Sequence, residues 1–402
     1  MKYSAQEVLQ YVREDDVKFI RLAFCDVFGR QKNIAIMPSE LERAFDSGIA
    51  FDASAIAGFG GNVRSDLFIR PDPSTLTGLP WRSENGKVVR MFGSIVRPDG
   101  SAFECDTRAL LSSAVERAAA SGLSFCFGPE MEFYLFRLDE NGEPTKVPYD
   151  RAGYMDVAPY DRGENLRREV CLSLEKMGIH PESSHHEEGP GQNEVDFRHS
   201  DALSAADNAL TFRTIVETAA ERYGLCADFS PKPLADKAGS GMHINFSVSR
   251  TDGTEPLESA AAGILYRAAD MTAFLNPVVC SYARLGSAKA PGYISWANEN
   301  RSQLIRMPAA PDGRRRAELR SPDPAANPYI AFALLIHAGI DGIESGMTLP
   351  RPCDMNLFDA APDELCGIKK LPETLEQAHG IARASSFIGR CLPEELIRAY
   401  VG

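Results

Sequence analysis

Two carboxylates stand two residues apart inside an apolar stretch, GPEMEFYLF, at residues 128–136. The aliphatic and aromatic residues and the flanking Gly-Pro predict a β-strand, on which Glu130 and Glu132 project from the same face. Neighbouring anions repel each other, so a cation is needed between them unless one of them takes up a proton. The stretch alone also fits the solvated face of an edge strand, and both interpretations stay open at this point.

A second acidic cluster lies in the segment SSHHEEGPGQNEVDF. Its Gly-Pro-Gly turn can fold the chain back so that Glu187 and Glu194 face one point. His185 and His186 are adjacent, and they lack the four-residue helical spacing of the H-E-x-x-H zinc motif. The segment therefore adds two carboxylates and argues against a zinc site.

A third polar cluster lies in GSGMHINFS, which begins at Gly239. On a strand, His243, Asn245 and Ser247 project from one face, while Gly239 and Gly241 let another group approach the backbone. A lone histidine of this kind is more often structural than a ligand, so His243 alone decides nothing. The carboxylates predicted to lie near His243 decide whether it is interpreted as a ligand.

Metal ions explain why so many carboxylates would gather. Five glutamates and one histidine form an oxygen-rich ligand set, which suits Mg²⁺ or Mn²⁺ and suits zinc or copper poorly. Two or three metal positions would neutralise the carboxylates and let them lie together. The predicted metal ligands are Glu130, Glu132, Glu187, Glu194, His243 and Glu318.

The segment from residue 284 to 320 is rich in arginine, although the chain as a whole is acidic. Planar guanidinium groups match the oxygens of phosphates and carboxylates. Together with bound metals, such a cluster indicates phosphoryl transfer to or from a carboxylate. The arginines concerned are Arg284, Arg301, Arg306, Arg316 and Arg320.

Composition limits the class of protein. The formal net charge of -13 argues against nucleic acid or an anionic membrane as the main partner, because both need a basic surface. The polar N-terminal sequence lacks the pattern of a signal peptide, and no apolar run approaches the length of a membrane span. The nine cysteines contain no C-x-x-C pair, which is typical of reduced thiols and predicts a cytoplasmic protein.

The elements that must position these residues fall into two parts. The 402 residues exceed one ordinary domain. Residues 1–103 contain a capped helix, a hairpin and short β runs, which predict a small α+β domain. Residues 104–402 begin with a helix and alternate helices with short strands, which favours an α+β sheet over a doubly wound parallel sheet.

The chain resembles the glutamine synthetase family, prokaryotic type, over nearly its full length. The matching segments occur in order and are FDASAIAGF, GPEMEF, HHEEGPGQNEVDF, FSPKP, GSGMHINFS, NRSQLIRMP and RRAELRSPDPAANPYIAFALLIHAGIDGI. The resemblance implies an N-terminal β-grasp domain and a catalytic domain whose antiparallel sheet forms a funnel flanked by helices. It also implies a homo-oligomeric ring, hexamer or dodecamer, with active sites shared between subunits.

The resemblance further implies ATP, Mg²⁺ or Mn²⁺, glutamate or a similar acid, and ammonia or an amine as ligands. Glu132, Glu187 and Glu194 resemble the ligands of the metal near the substrate carboxylate. The ligands of the metal that bridges the nucleotide phosphates are matched by Glu130, His243 and Glu318. The positions matching ATP-binding residues are Ser247, Arg301, Arg306 and Arg316, and those matching substrate-binding residues are Arg284, Arg320 and Gly239. Asp52 resembles the acid that receives ammonium, and Arg301 is also assigned a catalytic role.

Lys289 is the main departure from the family pattern. It occupies the position of a glutamate that shields the acyl phosphate and helps to deprotonate ammonium, and a lysine there reverses the charge. FDASA in place of F-D-G-S-S and Ala238 in place of Asn are further changes on the same side. Two hypotheses follow: the acceptor is an amine other than ammonia, or Lys289 is tolerated and ammonia is still used. A non-catalytic sensor or structural ring is the alternative from another class.

Overall fold

The chain begins with a small domain built on a mixed sheet. The structure is a computed structural model and describes residues 3–61, 65–81, 86–287, 289–310 and 313–402. The helices and strands of the small domain are α1 (Ala5–Glu14), β1 (Val17–Cys25), β2 (Gln31–Ile36), α2 (Leu41–Asp46), β3 (Ile49–Asp52), β4 (Asp66–Pro71), β5 (Thr77–Gly78) and β6 (Lys87–Val96).

Helix α1 begins at the capping box that the sequence predicts. The backbone N–H of Ser4 donates to Glu7 Oε2 at 2.7 Å, and the backbone N–H of Glu7 donates to Ser4 Oγ at 3.3 Å. These two bonds satisfy N–H groups that the first helical turn leaves without partners. The buried face of the helix carries Val8 and Val12.

The small sheet has the order β2-β1-β6-β4-β3 among the described residues. Strands β1 and β2 form the antiparallel hairpin predicted from the sequence, and β1 pairs with β6 in parallel. Strand β3 lies at one edge and ends at Asp52. The edge position leaves Asp52 exposed to solvent.

The second part of the chain holds the longest strand, β7, and most of the helices. Its first half comprises α3 (Thr107–Ala120), β7 (Leu123–Leu138), β8 (Pro144–Pro148), α4 (Glu164–Lys176), β9 (Pro181–His186), β10 (Gln192–Phe197), β11 (Ser200–Asp201), α5 (Ala202–Arg222), β12 (Leu225–Asp228) and β13 (Met242–Arg250). The remainder comprises α6 (Leu257–Tyr266), α7 (Ala268–Leu275), α8 (Val279–Arg284), β14 (Trp296–Asn298), β15 (Ile305–Met307), β16 (Ala317–Leu319), α9 (Pro328–Glu344), α10 (Leu375–Ala384), α11 (Ser386–Cys391) and α12 (Glu394–Val401).

The long strand β7 organises the larger sheet. The order β14-β15-β16-β13-β7-β10-β9 places β7 between β13 and β10, and both of these pairings are antiparallel. Strands β8, β11 and β12 also pair with β7, at other points along its length. The predicted α+β class is therefore confirmed; the larger sheet is mainly antiparallel, with a parallel pairing of β14 and β15. GPEMEF lies at the centre of the sheet instead of at an edge.

Helix α9 forms the apolar support behind this sheet. Its sequence, PYIAFALLIHAGIDGIE, is apolar on nearly every side, as expected for a helix that is buried all round. The ring of Phe332 stacks on that of Phe127 of β7 with 4.5 Å between ring centroids. This packing covers one face of the sheet with apolar side chains and leaves the other face free for polar side chains.

A network of buried charges joins the two domains. Arg108 of α3 donates from Nε and Nη2 to the two carboxylate oxygens of Asp207, each at 3.0 Å, and from Nη2 to Asp72 Oδ2 at 3.0 Å. Tyr329 donates its hydroxyl to Asp207 at 2.6 Å. The predicted boundary between residues 103 and 104 falls in the connection from β6 to α3, and that boundary stays a prediction.

Candidate active site

Strand register brings the predicted metal ligands to one face of the larger sheet. Glu130 lies opposite His243 in the pairing of β7 with β13, and Glu132 lies opposite Glu194 in the pairing of β7 with β10. Glu318 of β16 lies opposite Asn245 of β13. Because side chains alternate along a strand, one register places all of these groups over the same region.

One cavity of about 360 Å³ collects the predicted residues. It is lined by all six predicted metal ligands, by all five arginines of the 284–320 segment, and by Gly239 and Lys289. We call it the central cavity. Its walls therefore carry both the anions that hold divalent cations and the cations that hold phosphate or carboxylate groups.

The first potential ligand group consists of Glu130, His243 and Glu318, whose ligand atoms lie within 4.8 Å of one another. Burial raises the pKa of Glu130 to about 8, and the charges of Glu318 and Asp196 act in the same direction. Burial, followed by the nearby arginines, lowers the pKa of His243 well below its usual value. The imidazole is thus neutral at pH 7, which is the form that binds a metal.

The second group consists of His185, Glu187 and Glu194, again within 4.8 Å. The turn at residues 189–191 folds β10 back onto β9 and brings Glu187 and Glu194 together, as the sequence predicts. Glu132 stands beside this group, where its Oε2 accepts from Gly241 N at 2.8 Å and from Gln192 Nε2 at 3.1 Å. Burial raises the pKa of Glu132 to about 7, and the charge of Glu187 adds to the effect.

Two lining residues were not singled out as ligands from the sequence. His185 joins Glu187 and Glu194, and Asp196 forms a third group with Glu130 and Glu194. Asp196 follows Glu194 by two residues on β10, so the same strand alternation that exposes Glu130 and Glu132 could have found it. His185 gives no such local signal.

These side chains fit divalent metal ions. Three overlapping or adjacent sets of oxygen and imidazole donors lie within coordination reach, and oxygen donors predominate. Burial, and after it the neighbouring carboxylates, raises the pKa of Glu130, Glu132 and Glu194. A hard divalent cation would reverse that effect.

Two arginines of the central cavity, Arg306 and Arg320, hold Glu318 between them. Arg306 Nη1 donates to Glu318 Oε2 at 2.8 Å, and Arg320 Nη1 donates to Glu318 Oε1 at 2.5 Å. Arg320 also donates from Nε to the backbone carbonyl of Arg301 at 3.0 Å. The carboxylate of Glu318 thus orients two guanidinium groups toward the space that the metal ligands share.

Arg284 reaches the central cavity past two glycines. It donates from Nη1 to the carbonyl of Ser321 at 2.7 Å, and burial lowers its pKa. A Cβ atom on Gly239 would lie 2.8 Å from Arg284 Cγ, and one on Gly241 would lie 2.7 Å from Arg284 Nη2. Neither position can hold a larger residue without moving Arg284, which accounts for the glycines of GSGMH.

An adjoining cavity of about 400 Å³ contains Ser247. It shares Glu130, Asp196 and Arg316 with the central cavity. Arg316 donates from Nε to Asn245 Oδ1 at 2.9 Å, so it stands at the border of the two spaces. A ligand that carries phosphates could therefore extend from one cavity into the other.

Asp52 lies apart from this site within its own chain. It caps the short turn after β3 by accepting from Ser54 N at 2.9 Å, and hydrogen bonds from Ser54 hold its pKa below the usual value. It is not among the residues that line the central cavity. The role that the resemblance implies for it would need the small domain of another subunit, and it stays a prediction.

A second layer of polar groups stands behind the second ligand group. His186 is fully buried, with Nε2 2.9 Å from Asp150 Oδ1 and Nδ1 2.6 Å from the carbonyl oxygen of Glu187. Asp150 Oδ1 also accepts from Gly191 N at 3.0 Å. One carboxylate thus fixes both the end of β9 and the turn that follows it.

Lys289 forms an ion pair with Glu188 at the wall of the central cavity. Its Nζ also lies 5.8 Å from the centroid of the Tyr154 ring. The charge reversal noted in the sequence is therefore offset by a carboxylate on the neighbouring turn.

Comparison with known proteins assigns the family. The family described as "Glutamine synthetase, catalytic domain" matches residues 104–402, and "Glutamine synthetase, beta-Grasp domain" matches residues 16–98. The two matches cover most of the chain. The protein belongs to the glutamine synthetase family, and its small domain is a β-grasp domain.

Curated relatives agree with this assignment. The chain is 42% identical over 416 residues to a glutamine synthetase from Clostridium saccharobutylicum, covering 100% of this chain and 94% of the relative. It is 43% identical over 411 residues to a glutamine synthetase from Methanosarcina mazei, covering 98% of this chain and 92% of the relative. The similarity thus extends over both domains.

Solved structures show the same fold. One, described as "GmaS/ADP complex-Conformation 1", has a TM-score of 0.88 and 27% identity and covers 100% of this chain and 94% of that one. A Plasmodium falciparum glutamine synthetase has a TM-score of 0.86 at 22% identity, covering 100% and 95%, and supports the fold alone. Within the described ranges, no helix is long and apolar enough to cross a bilayer.

Proposed function

We propose that this protein is an ATP-dependent ligase that joins the γ-carboxylate of glutamate to ammonia or a small amine. The observation that carries the proposal is the convergence of six metal-ligand candidates and five arginines on one cavity. Such a density of alternating charge suits two anionic substrates held next to each other. The full-length similarity to proteins named glutamine synthetase supports glutamate as the acid and ammonia as the acceptor.

The reaction proceeds in two transfers. A γ-carboxylate oxygen of glutamate attacks the γ-phosphorus of ATP, the bond to the β-phosphate oxygen breaks, and ADP leaves. The nitrogen of the amine then attacks the carbonyl carbon of the γ-glutamyl phosphate, inorganic phosphate leaves, and the nitrogen gives up a proton. Activation by phosphate makes the carboxylate, which is a poor electrophile, reactive toward nitrogen.

The side chains of this site have separate tasks in that sequence. Bound Mg²⁺ or Mn²⁺ would offset the charge of the transferring phosphoryl group. Arg301 and Arg306 are assigned to the phosphates, together with Arg316 and Ser247 at the adjoining cavity, and Arg284 and Arg320 to glutamate. Donors that are fixed in place before the reaction stabilise charge as it develops, and the contact of Arg306 and Arg320 with Glu318 supports such fixed positions.

Assembly into a homo-oligomeric ring is part of the proposal. Asp52 lies outside the central cavity of its own chain, which supports a site completed by the small domain of another subunit. Hexamer and dodecamer both remain open, and the mass of the assembly in solution would decide between them. The prediction of a cytoplasmic protein rests on the nine free cysteines.

The test is ADP release from Mg·ATP with L-glutamate, alone and with ammonium, hydroxylamine or a panel of primary amines. We expect release that needs glutamate and metal and that an amine stimulates, with the amide as second product. Stimulation by ammonium at low concentration assigns ammonia as acceptor, and stimulation by another amine alone assigns that amine. No turnover under any of these conditions, with binding of ATP retained, would overturn the proposal in favour of a non-catalytic ring.

A further inference from the structure

The ion pair between Lys289 and Glu188 fixes a primary ammonium group at the edge of the central cavity. Both residues line that cavity, and their side chains are 58% and 35% exposed, so the pair lies on its solvent side. The Lys289 Nζ also stands 5.8 Å from the ring centroid of Tyr154, another lining residue. Carboxylate and aromatic ring together define where a cation is held.

Glu188 belongs to none of the potential ligand groups found among the described residues. Those groups use Glu187 and Glu194 but leave out Glu188. The backbone N–H of Glu188 donates to Glu187 Oε2 at 3.0 Å, and the Glu188 carboxylate itself pairs with Lys289 at the wall of the central cavity. A carboxylate that is not committed to a metal is free to attract an organic cation.

The lysine side chain ends in the same chemical group as the acceptor. Ammonium and protonated primary amines are ammonium ions, and the Lys289 Nζ is a tethered ammonium ion on a flexible stem. The attraction that holds the Lys289 ammonium group at the Glu188 carboxylate therefore also acts on a protonated acceptor amine. The two cannot occupy one position together.

Resting on the proposed function, we propose that Glu188 attracts the protonated acceptor amine and that Lys289 is a built-in competitor for that position. The acceptor class is ammonium and primary alkylammonium ions. Glu188 thereby sets the affinity for the acceptor, and Lys289 weakens it. Neither residue takes part in binding ATP or glutamate.

The backbone of Lys289 is held independently of its side chain. The turn is closed by Gly286 N donating to the carbonyl of Ala290 at 3.2 Å and by Ala290 N donating to that of Ser287 at 2.9 Å. Lys289 itself has a φ of 63°, a left-handed conformation that should cost Lys and Gln about the same, because both side chains are unbranched at Cβ. Lys289→Gln therefore removes the charge without a new backbone cost.

The experiment measures KM for ammonium and methylammonium, and KM for ATP and glutamate, in the wild type, Lys289→Gln, Glu188→Gln and the double variant. Half-exposed ion pairs are weak, so we expect Lys289→Gln to lower the acceptor KM about two- to fivefold. Glu188→Gln should raise the acceptor KM by a similar factor. The acceptor KM of the double variant should equal that of Glu188→Gln, because Lys289 then has no position to compete for. The KM values for ATP and glutamate should stay within about twofold.

A matched control lies outside the cavity. Lys370 pairs with Glu373 at 2.5 Å and stands 5.9 Å from the ring centroid of Tyr293, at similar exposure. Lys370→Gln should leave every KM unchanged. An equal effect of Lys370→Gln would show that general surface charge is responsible and would overturn the inference.

Other outcomes separate the inference from the proposed function. An unchanged or raised acceptor KM in Lys289→Gln, or additive effects in the double variant, would overturn the competition. A rise in the ATP or glutamate KM of Glu188→Gln matching the rise for the acceptor would show that Glu188 acts through Glu187. A wild type that releases no ADP with any amine would instead refute the proposed function itself.

Discussion

Glu130 and His243 face each other across the antiparallel register of β7 and β13, with 3.8 Å between Glu130 Oε2 and His243 Nδ1. Glu130 also faces the charges of Glu318 and Asp196, and burial together with these charges raises its pKa to about 8. The strand register thus holds Glu130 where its ionised carboxylate is destabilised until a cation is bound. Such a residue should have opposite effects on stability with and without metal.

Replacing Glu130 by Gln should stabilise the metal-free protein and weaken its response to metal. A carboxyl group with a raised pKa opposes folding once the pH exceeds its value in the unfolded chain, near 4.5, and a neutral amide removes that penalty. We expect a gain of about 1 kcal/mol at pH 7.5, below what the pKa alone implies because 29% of the side chain is exposed. Urea unfolding with EDTA and with Mn²⁺ measures both effects.

Glu140→Gln is the control for that experiment, because Glu140 is an exposed loop carboxylate outside the central cavity. Glu140→Gln should change neither the unfolding free energy in EDTA nor the response of that free energy to Mn²⁺. A loss of stability in EDTA for Glu130→Gln, with the Mn²⁺ response intact, would mean that Glu130 is a structural residue and not a ligand.

Asp150 should control metal affinity through residues that it positions. It joins His186 to the Gly191 turn and thereby sets the spacing of Glu187 and Glu194, without lining the central cavity. Asp150→Asn should raise the Mg²⁺ concentration for half-maximal activity about tenfold, as is usual for groups that orient ligands. The kcat at saturating Mg²⁺ should stay within about twofold.

Asp139→Asn provides a comparison, because Asp139 also accepts two backbone N–H groups, from Asn141 and Glu143, in a turn far from the ligands. It should leave the Mg²⁺ dependence unchanged. If Asp150→Asn lowered kcat at saturating Mg²⁺ and left the metal dependence alone, positioning of the ligands would be refuted.

Local pattern explains why much of the site could be predicted. The two-residue spacing of Glu130 and Glu132 fixes a common face on any strand, and the Gly-Pro-Gly turn returns Glu194 toward Glu187 whatever the rest of the chain does. The arginine-rich segment also reached the central cavity as expected. These features depend on spacing within short segments, which the sequence displays directly.

Contacts between distant segments could not be predicted in the same way. Lys289 meets Glu188 across 101 positions, a pairing that depends on how the turn after α8 packs against the turn after β9. The sequence showed only a reversed charge at Lys289 and gave no sign of its partner. Asp52 is a further case, since its role would depend on another subunit and lies beyond any single chain.

The buried pair of Arg108 and Asp207 should be essential for stability, because Asp207 holds the guanidinium that also contacts Asp72 of the small domain. Asp207 accepts two hydrogen bonds from Arg108 and one from Tyr329. Asp207→Asn would leave a buried guanidinium without its main counter-charge, which costs about 3–5 kcal/mol of unfolding free energy. Urea unfolding measures this loss.

The matched comparison is Glu394→Gln, which removes an exposed pair with Arg398. We expect a change below about 0.5 kcal/mol there, because exposed helical pairs contribute little. Similar losses in both variants would show that stability does not depend on the burial of the Arg108–Asp207 pair.

His337 should make the protein less stable as the pH falls from 6.5 toward 4. Burial and the neighbouring Arg117 lower its pKa to about 4, and Arg117 Nη1 donates to its Nδ1 at 3.0 Å. Asp341 and Arg390 are the other charges that face it, and Asp341 opposes the shift.

The unfolded chain takes up the proton near pH 6.5 and the folded protein only near 4, so full stability is present above 6.5. His337→Gln keeps an acceptor for Arg117 and should reduce the loss between pH 6.5 and 4.5 by up to about 3 kcal/mol, measured by urea unfolding at each pH. The exposed His180→Gln should keep the pH dependence of the wild type, and an unchanged slope in His337→Gln would contradict the assignment.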